Sequence, residues 1–293
     1  MVGGVGVNLE HRYCNIGLDI PPLIVITNPT MQSLDTFPPT VRRLIRGVFA
    51  DIDDTLTSEG RLTAQAYVAL ERLKAAGLLV VPITGRPAGW CDHIARMWPV
   101  DAVVGENGAF YFRYDHGQRT MYKRFLLDKK EREKNRERLE ALRDTILSQV
   151  PGAAVASDQG YRESDLAIDY CEDVTRLPPA AIARIVKLFE DAGATARLSS
   201  IHVNGWFGTY NKLTMTRLLM QEVFNTDLDA NKAEFVFVGD SPNDAPMFAY
   251  FPNAIGVANI QKFSGDLKSE PAFVTGLPCG EGFAQVVDML LNE

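Results

Sequence analysis

The chain has 293 residues, 46% of them hydrophobic and 23% charged, with a formal net charge of −7 at pH 7. This length and apolar content allow a large buried core and suggest two domains, or one domain with an insertion. The acidic balance argues against a nucleic-acid partner, because binding to a phosphate backbone requires Lys and Arg clustered on one face.

Cysteine usage and apolar runs indicate the compartment. The cysteines form no C-x-x-C pair, so the sequence indicates neither a disulfide framework nor a zinc site. They are Cys14, Cys91, Cys171 and Cys279. The longest early apolar run, PPLIVI, is too short to span a membrane, and no basic segment precedes it. We therefore expect a protein of the reducing cytoplasm without a membrane partner.

Residues 1–44 form an N-terminal extension of unknown role. The alternatives are a tail, an extra edge element of a sheet, and a misread upstream start with Met31 as the true initiator. All three remain open at this stage.

From Val48 onward, short β-branched runs alternate with segments of helical period, which is the pattern of a parallel sheet flanked by helices. The predicted fold class is therefore α/β. Residues 63–77 predict a crossover helix with Gly77 as its C-cap. The candidate core strands are GVFAD, GLLVVPIT, DAVVG, EFVFVGD, NAIGVA and AFVT.

The middle of the chain has a different pattern. It predicts a hairpin over residues 109–125, a long charged helix, a strand, a second helix and a second hairpin. The charged helix alternates in sign and spaces Leu139, Leu142 and Ile146 helically, so a solvated amphipathic helix is favoured over a nucleic-acid-binding arm. We predict a small α+β domain, residues 109–204, inserted into a sheet domain formed by residues 45–108 and 205–293.

Three of the predicted strands end in polar residues that suit a ligand site. In open parallel sheets, ligands bind beyond the carboxyl ends of the strands. The runs GVFA, LLVVPI and FVFVG are followed by Asp51, Thr84 and Asp240. We expect these residues to converge if their strands are neighbours, and a helix beginning near Lys212 to bring a fourth group.

The loop after the first core strand, DIDDT, carries Asp51, Asp53 and Asp54. Side chains alternate along an extended segment, so Asp51 and Asp53 share a side and Asp54 faces away. Carboxylates this close repel one another unless a cation compensates them. The alternative is that Asp and Thr after a strand only form a polar turn.

The segment ITGRPAGW has the composition of an anion site. Thr84 ends a strand, Gly85 lets the backbone approach a ligand, and Pro87 suits the first helical turn, whose free amides attract anions. Lys212, at the start of another helix, would act as a point charge on a phosphate. The alternatives are an ordinary strand-to-helix turn with Arg86 as a surface charge, and a solvated Lys212.

The segment VFVGDSPNDAPMF places Asp240 and Asp244 beside Asn243 at a strand end. Together with Asp51 and Asp53 they describe an oxygen-rich site for a hard cation. Mg²⁺ is the expected cofactor, because it prefers oxygen ligands in an octahedron at about 2.0–2.1 Å. A role for Asp240 as a helix N-cap is an alternative that is compatible with metal binding.

The order of these motifs resembles the haloacid dehalogenase (HAD) superfamily. DIDDTLT matches its first motif, the Thr of ITGR the second, Lys212 the third and GDSPND the fourth, from Val48 to the C-terminus. An α+β cap between the second and third motifs, preceded by GENGA, is similar to subclass IIB, which includes sucrose phosphatase, mannosyl-3-phosphoglycerate phosphatase and phosphomannomutase. The resemblance implies a Rossmann-like core with an inserted cap. Two departures are Asp54, where many members carry Gly, and the N-terminal extension.

The resemblance also implies a covalent mechanism and a set of site residues. Asp51 would be the nucleophile and Asp53 the acid and base, while Thr84 and Lys212 would hold the phosphoryl group. The implied substrate-binding residues are Gly85, Arg86, Asn107 and Asn243. The implied Mg²⁺ ligands are Asp51, Asp53, Asp240 and Asp244.

Two further sets of residues are weaker candidates for contact with the leaving group. Arg162, Glu163 and Asp165 have the polarity to bind hydroxyls, although solvated strand ends have the same composition. Trp90 and Trp206 have rings that stack on a sugar, although aromatic packing in the core gives the same pattern.

The expected function is a Mg²⁺-dependent phosphatase acting on a small phosphorylated metabolite, a sugar phosphate. One alternative is a hexose phosphomutase of the phosphomannomutase type, which returns the phosphoryl group to sugar rather than to water. Another is a non-catalytic phosphate-binding protein, which the presence of both Asp51 and Asp53 disfavours. We expect no nucleic-acid or membrane partner, and the sequence makes no prediction of oligomeric state.

Overall fold

The computed structural model describes residues 31–199, 201–265 and 267–291. Within these ranges the strands are β1 Gln32–Ser33, β2 Gly47–Ala50, β3 Thr57–Ser58, β4 Arg61–Leu62, β5 Leu79–Pro82, β6 Val103–Gly105, β7 Phe110–Asp115, β8 Thr120–Phe125, β9 Ala154–Val155, β10 Leu166–Asp169, β11 Thr195–Leu198, β12 His202–Trp206, β13 Phe235–Gly239, β14 Ala254–Gly256 and β15 Phe273–Val274. The α-helices are α1 Pro39–Arg42, α2 Ala64–Ala75, α3 Ala88–Met97, α4 Lys129–Gln149, α5 Pro179–Asp191, α6 Lys212–Phe224, α7 Leu228–Asn231, α8 Ala245–Tyr250 and α9 Cys279–Leu291.

The main sheet has six strands in the order β1-β15-β14-β13-β2-β5, and each neighbouring pair is parallel. The predicted α/β class with a parallel sheet is confirmed. β2 lies between β13 and β5, so Ala50 pairs with Val238 on one side and with Pro82 on the other. A bridge between Ile83 and Val104 extends the carboxyl end of the sheet towards β6.

Both faces of this sheet are buried, as the near-continuous apolar strands require. Because side chains alternate along a strand, Val48 of β2 packs into one core cluster with Leu70 of α2 and Phe283 of α9. Phe49 packs into a second cluster on the opposite face with Met215 of α6. The α/β order of the sequence therefore produces a three-layer arrangement that fixes the positions of the strand ends.

A second, four-stranded sheet has the order β11-β12-β10-β9, and its neighbours are antiparallel. Helices α4 and α5 pack on it around a separate core cluster that contains Ile146, Ile185, Phe189 and Val203. The charged helix α4 buries only its predicted apolar positions, Leu139, Leu142 and Ile146, and Asp128 caps it by accepting from the Glu131 amide at 2.9 Å.

The hairpin of β7 and β8 lies with the main sheet. β7 pairs antiparallel with β6, and Phe110 and Phe112 belong to the core cluster of Val48. The domain boundaries predicted at residues 108 and 204 stay a prediction, and this packing favours assigning the hairpin to the sheet domain. We use the name "inserted segment" for residues 126–204, which follow this hairpin.

Part of the N-terminal extension joins the main sheet. β1 pairs with β15 as an edge strand, and Leu34 and Phe37 are buried in the same core cluster as Val48. Residues 1–30 lie outside the described residues. Among those that are described, no helix combines the length and apolar character needed to cross a bilayer.

Candidate active site

Four polar side chains lie along the carboxyl edge of the main sheet. Asp51 follows β2, Thr84 follows β5, Asp240 follows β13, and Lys212 is the first residue of α6. All four are buried. Because β2 lies between β13 and β5, the three strand ends are adjacent. Asp51, Thr84 and Asp240 were expected to converge if their strands were neighbours, and these strands are.

Lys212 forms two short ion pairs at the centre of this edge. Its Nζ lies 2.6 Å from Asp51 Oδ1 and 2.7 Å from Asp244 Oδ1. Asn211 caps α6, accepting from the Thr214 amide at 3.0 Å, and so fixes where the helix begins. Burial lowers the pKa of Lys212, but the two carboxylates outweigh burial and raise that pKa above its usual value. The alternative of a solvated lysine is wrong, and the ammonium stays charged.

Asp51, Asp240 and Asp244 form a buried acidic cluster in which one carboxylate oxygen from each lies within 4.8 Å of the others. Burial raises the pKa of Asp51 to about 8, although Lys212 opposes this, and burial beside Asp51 raises the pKa of Asp240 well above its usual value. The single ammonium of Lys212 does not balance three carboxylates. A hard divalent cation with oxygen ligands fits both the charge and the donor atoms of this cluster.

Asp244 also shapes the loop after β13. Its Oδ2 accepts hydrogen bonds from the amides of Asp240 at 3.2 Å and Ser241 at 3.4 Å, while Oδ1 contacts Lys212. Asn243 lies between them and accepts a 2.8 Å hydrogen bond from the Ser241 hydroxyl. The GDSPND segment therefore folds into a turn that directs both Asp240 and Asp244 to the cluster.

Asn259 is a residue that the sequence analysis missed. Its Nδ2 donates to Asp240 Oδ2 at 3.1 Å and to the Asp54 carbonyl at 3.0 Å, while its Oδ1 accepts from the Cys279 amide at 2.9 Å. Asn259 follows the predicted strand NAIGVA, and its position just past a neighbouring strand end was the signal available in the sequence. It orients Asp240 and ties it to the loop after β2.

The TGR segment forms a tight turn before α3. The Thr84 hydroxyl accepts from the Arg86 amide at 3.0 Å, and the Thr84 carbonyl accepts from the Asn107 amide at 3.0 Å. A Cβ on Gly85 would lie 3.2 Å from the Asn107 side chain. Asn107 Nδ2 is buried without a hydrogen-bond partner. A buried amide donor without a partner is costly, so its place beside Gly85 favours an acceptor supplied by a ligand.

Arg86 connects the sheet domain to the inserted segment. Its guanidinium lies 2.8 Å from Asp53, 3.1 Å from Glu172 and 3.5 Å from Asp158. It is buried, so the alternative that it is a surface charge is wrong. His202 Nε2 lies 2.8 Å from Glu172, and contact with His202 and Arg86 lowers the pKa of Glu172 to about 2. Asp53 thus stands apart from the acidic cluster, bound to this arginine.

The three polar candidates of the inserted segment have different environments. Arg162 is buried between Asp158 and Asp165, at 3.1 Å and 3.0 Å, and donates to the Gly85 carbonyl at 3.0 Å. Asp165 also accepts from Asn204 at 3.2 Å. Arg162 and Asp165 are therefore not solvated strand ends, whereas the Glu163 side chain is exposed.

Glu106 links these elements and was not predicted. Its carboxylate accepts from the amides of Ala88 at 2.9 Å, Glu163 at 2.9 Å and Ser164 at 2.6 Å. Burial, assisted by the charge of Asp165, raises the pKa of Glu106 to about 8. It therefore fastens the start of α3 to the inserted segment close to the candidate site.

The two tryptophan candidates, Trp206 and Trp90, differ in burial and in what their rings contact. Trp206 is buried in the core and stacks on Tyr210, with ring centroids 5.6 Å apart, so the core-packing interpretation is confirmed for it. Trp90 is 41% exposed, and the Arg86 guanidinium lies 4.4 Å from its ring centroid. Of these two tryptophans, Trp90 is the one whose ring lies near Asp53.

A parallel sheet that carries a buried carboxylate, a paired lysine and an acidic cluster at its carboxyl edge suits phosphoryl transfer, which depends on positioning and charge. Residues 48–159 match the family of haloacid dehalogenase-like hydrolases. The chain is similar to this family over that stretch, and the match together with the curated relatives supports its assignment as a phosphatase.

The similarity to known proteins extends over nearly their whole length. The chain is 28% identical over 248 residues to a phosphoglycolate phosphatase of Archaeoglobus fulgidus, covering 84% of this chain and 96% of the relative. It is 22% identical over 250 residues to the Methanospirillum hungatei phosphoglycolate phosphatase, covering 84% and 97%. The Synechocystis sucrose-phosphatase, solved with sucrose and phosphate, has a TM-score of 0.59 at 14% identity, covering 84% of this chain and 98% of that one.

Proposed function

We propose that this phosphatase hydrolyses a small phosphorylated metabolite, a sugar phosphate, with Mg²⁺ as cofactor and through an aspartyl-phosphate intermediate. The observation that carries the proposal is the buried contact of Lys212 with Asp51 and Asp244 beside Asp240. The sugar-phosphate class is supported by the structural likeness to sucrose-phosphatase, and the phosphoglycolate phosphatases support a small phosphate monoester.

In the first step, Asp51 attacks phosphorus and forms an O–P bond as the bond to the leaving oxygen breaks. Lys212 holds Oδ1 of Asp51, so we expect the other oxygen to attack. Asp53 donates a proton to the leaving alkoxide, a role typically worth about 10²–10⁴-fold. In the second step Asp53 takes a proton from water, whose oxygen attacks phosphorus and releases both phosphate and the Asp51 carboxylate.

The remaining residues bind and orient the phosphoryl group. We expect Lys212, Thr84 and the Gly85 amide to contact its oxygens, and the buried Nδ2 of Asn107 to act as a further donor. Asn243 would order the loop that faces them. Asp51, the Asp53 carbonyl, Asp240 and Asp244 are the proposed ligands of Mg²⁺, which when bound offsets the negative charge of the carboxylates and the phosphate.

Access to this site requires the inserted segment to move. The cavity between Asp51 and the inserted segment is about 20 Å³, and His202 and Asn204 form part of its far wall. This volume holds about one water molecule and no sugar. We infer that the inserted segment opens to admit substrate and closes to exclude water.

The test is phosphate release from phenyl phosphate with and without Mg²⁺. We expect activity only with Mg²⁺, and its loss in Asp51→Asn. Asp54→Asn is the matched control, because Asp54 has a positive φ of 56° that Asn also tolerates. Activity that survives chelation, or full activity of Asp51→Asn, would contradict the mechanism. Conversion of a hexose 1-phosphate to its 6-phosphate without phosphate release would identify a mutase instead.

A further inference from the structure

Asp53 lies at the junction of two cavities. One is the small cavity of about 20 Å³ that also contacts Asp51 and Asp240. The other is a groove of about 540 Å³ that Asp53 also lines, which we call the aromatic groove. Its walls include Thr57, Trp90, His93, Trp98 and Tyr161. A volume of this size falls in the range of small-molecule sites, roughly 300–1,000 Å³.

The aromatic groove is built where three parts of the fold meet. It is lined by Thr57 of β3, Trp90 of α3 and Tyr161 of the inserted segment. Gly89 makes this contact possible, since a Cβ at that position would lie 2.8 Å from the Tyr161 Cβ. Trp90 and Tyr161 are 41% and 62% exposed, so both offer ring surface that the core does not use.

The charges around the groove select against an anionic ligand. Among the described residues that line it, none is a Lys or Arg, and Asp53 contributes a carboxylate. Arg86 lies behind Trp90, but Asp53 and Glu172 already bind its guanidinium. A second anionic group on the substrate would therefore find no cation there, whereas hydroxyls would find Asp53, His93 and Thr57 as hydrogen-bonding partners.

We propose that the aromatic groove binds the leaving group of the substrate, and that this leaving group is an uncharged six-membered ring with a flat apolar face. The inference rests on the proposed function, because an acid at Asp53 must contact the leaving oxygen. Asp53 lines the small cavity together with Asp51 and also lines the groove, so the phosphoryl group would lie beside Asp51 and the ring in the groove. Trp90 and Tyr161 are then the residues that determine specificity by contact with the ring faces.

The test compares four phosphate monoesters with Mg²⁺ present: phenyl phosphate, glucose 6-phosphate, glycerol 3-phosphate and phosphoglycolate. The two ring substrates distinguish an aryl ring from a pyranose, glycerol 3-phosphate lacks a ring, and phosphoglycolate adds a carboxylate. We expect wild type to favour at least one ring substrate over phosphoglycolate. Trp90→Ala and Tyr161→Ala should raise the KM for that substrate about tenfold. The KM for glycerol 3-phosphate should change by less than about threefold.

Trp90→Phe should recover most of the affinity, because a ring face remains. Tyr122→Ala is the matched control, since Tyr122 is 43% exposed and lies on β8, away from the groove residues. An equal loss on all substrates would show a structural role and overturn the proposal, as would unchanged KM values or a preference for phosphoglycolate.

Calorimetric titration separates this inference from the proposed function. If none of the four esters releases phosphate, the phosphatase mechanism is contradicted. Binding of phenyl phosphate and glucose 6-phosphate to wild type and Trp90→Ala measures the groove whether or not turnover occurs. A dissociation constant about tenfold higher in Trp90→Ala supports the groove, and equal constants overturn it.

Discussion

The guanidinium of Arg86 binds the carboxylate of Asp53, with Nε 2.9 Å and Nη2 2.8 Å from Oδ1. The same guanidinium contacts Asp158 and Glu172 of the inserted segment. One buried side chain thus joins the proposed acid to the part of the chain that covers the site. Opening of the inserted segment must break the two outer contacts, while the contact with Asp53 has no need to break.

Replacing Arg86 tests this connection. Arg86→Ala leaves Asp53 without the group that orients it, so we expect kcat on phenyl phosphate to fall about 10²-fold, the cost of misplacing a reacting group. KM should change less, because the phosphoryl-binding residues remain. Arg46→Ala is the matched control, since Arg46 pairs with Glu234 at 2.8 Å but is largely exposed. A kcat within about twofold of wild type in Arg86→Ala would exclude the positioning role.

Asn259 should control metal affinity without binding the metal. Asn259→Ala removes the hydrogen bond to Asp240, and groups that orient metal ligands are typically worth about 10–100-fold in affinity. We expect the Mg²⁺ concentration for half-maximal activity to rise by that factor, with kcat at saturating Mg²⁺ close to wild type.

Asn253→Ala provides the comparison for Asn259. Asn253 is also buried, but its Nδ2 donates to the Ala233 carbonyl at 2.7 Å, which lies before β13. Loss of this hydrogen bond in Asn253→Ala should lower the melting temperature and leave the Mg²⁺ dependence of activity unchanged. The same shift in Mg²⁺ dependence in both variants would mean that Asn259 acts only through general stability.

The raised pKa of Glu106 predicts a pH dependence of stability. Burial raises this pKa from an ordinary value near 4.5 to about 8, so between these values the folded chain holds a proton that the unfolded chain has released. The free energy of unfolding therefore falls as pH rises from about 5 to 8, by up to roughly 1.4 kcal/mol per pH unit from this group. Below that window the contribution is fully present.

The Glu106→Gln variant isolates the effect, because Gln does not titrate and its carbonyl oxygen still accepts from the amides of Ala88 and Glu163. Urea unfolding at several pH values, with Mg²⁺ held constant, should give a shallower decline for the variant than for wild type. The loss of the Ser164 hydrogen bond lowers its stability at every pH, and so does not change the slope. Parallel declines would refute the assignment.

Gly108 controls the position of Lys212. Its φ is +105°, and a Cβ there would lie 2.1 Å from the Asn211 carbonyl oxygen and 3.0 Å from the Lys212 amide. Gly108→Ala should destabilise the protein by about 2 kcal/mol or more, since both backbone strain and overpacking oppose the methyl group. It should also lower kcat, because the start of α6 must shift.

Gly276→Ala is the control for Gly108. A Cβ at position 276 meets only the Gln285 side chain, at 3.6 Å, and the backbone there is in a conformation open to Ala. We expect a melting temperature close to that of wild type. A Gly108→Ala variant with unchanged stability and activity would show that the turn before α6 adapts without cost.

Local sequence patterns were enough to predict the main elements and the polar residues at the strand ends. Apolar periodicity is a local property, so it predicted the parallel sheet, the amphipathic helix α4 and the two hairpins, all of which the structure contains. The placement of Asp51, Thr84 and Asp240 after three strands needed only the general rule for parallel sheets. Which strands are neighbours was left open.

The contacts of each polar side chain depend on the folded arrangement of the chain. Arg86 was placed at the right junction, but its binding to Asp53 and Glu172 joins residues 33 and 86 positions apart, and no local pattern encodes such pairs. The link between Asn259 and Asp240 depends in the same way on the approach of two strand ends. Long-range packing creates these contacts, because side chains distant in sequence acquire a shared environment only when the chain is folded.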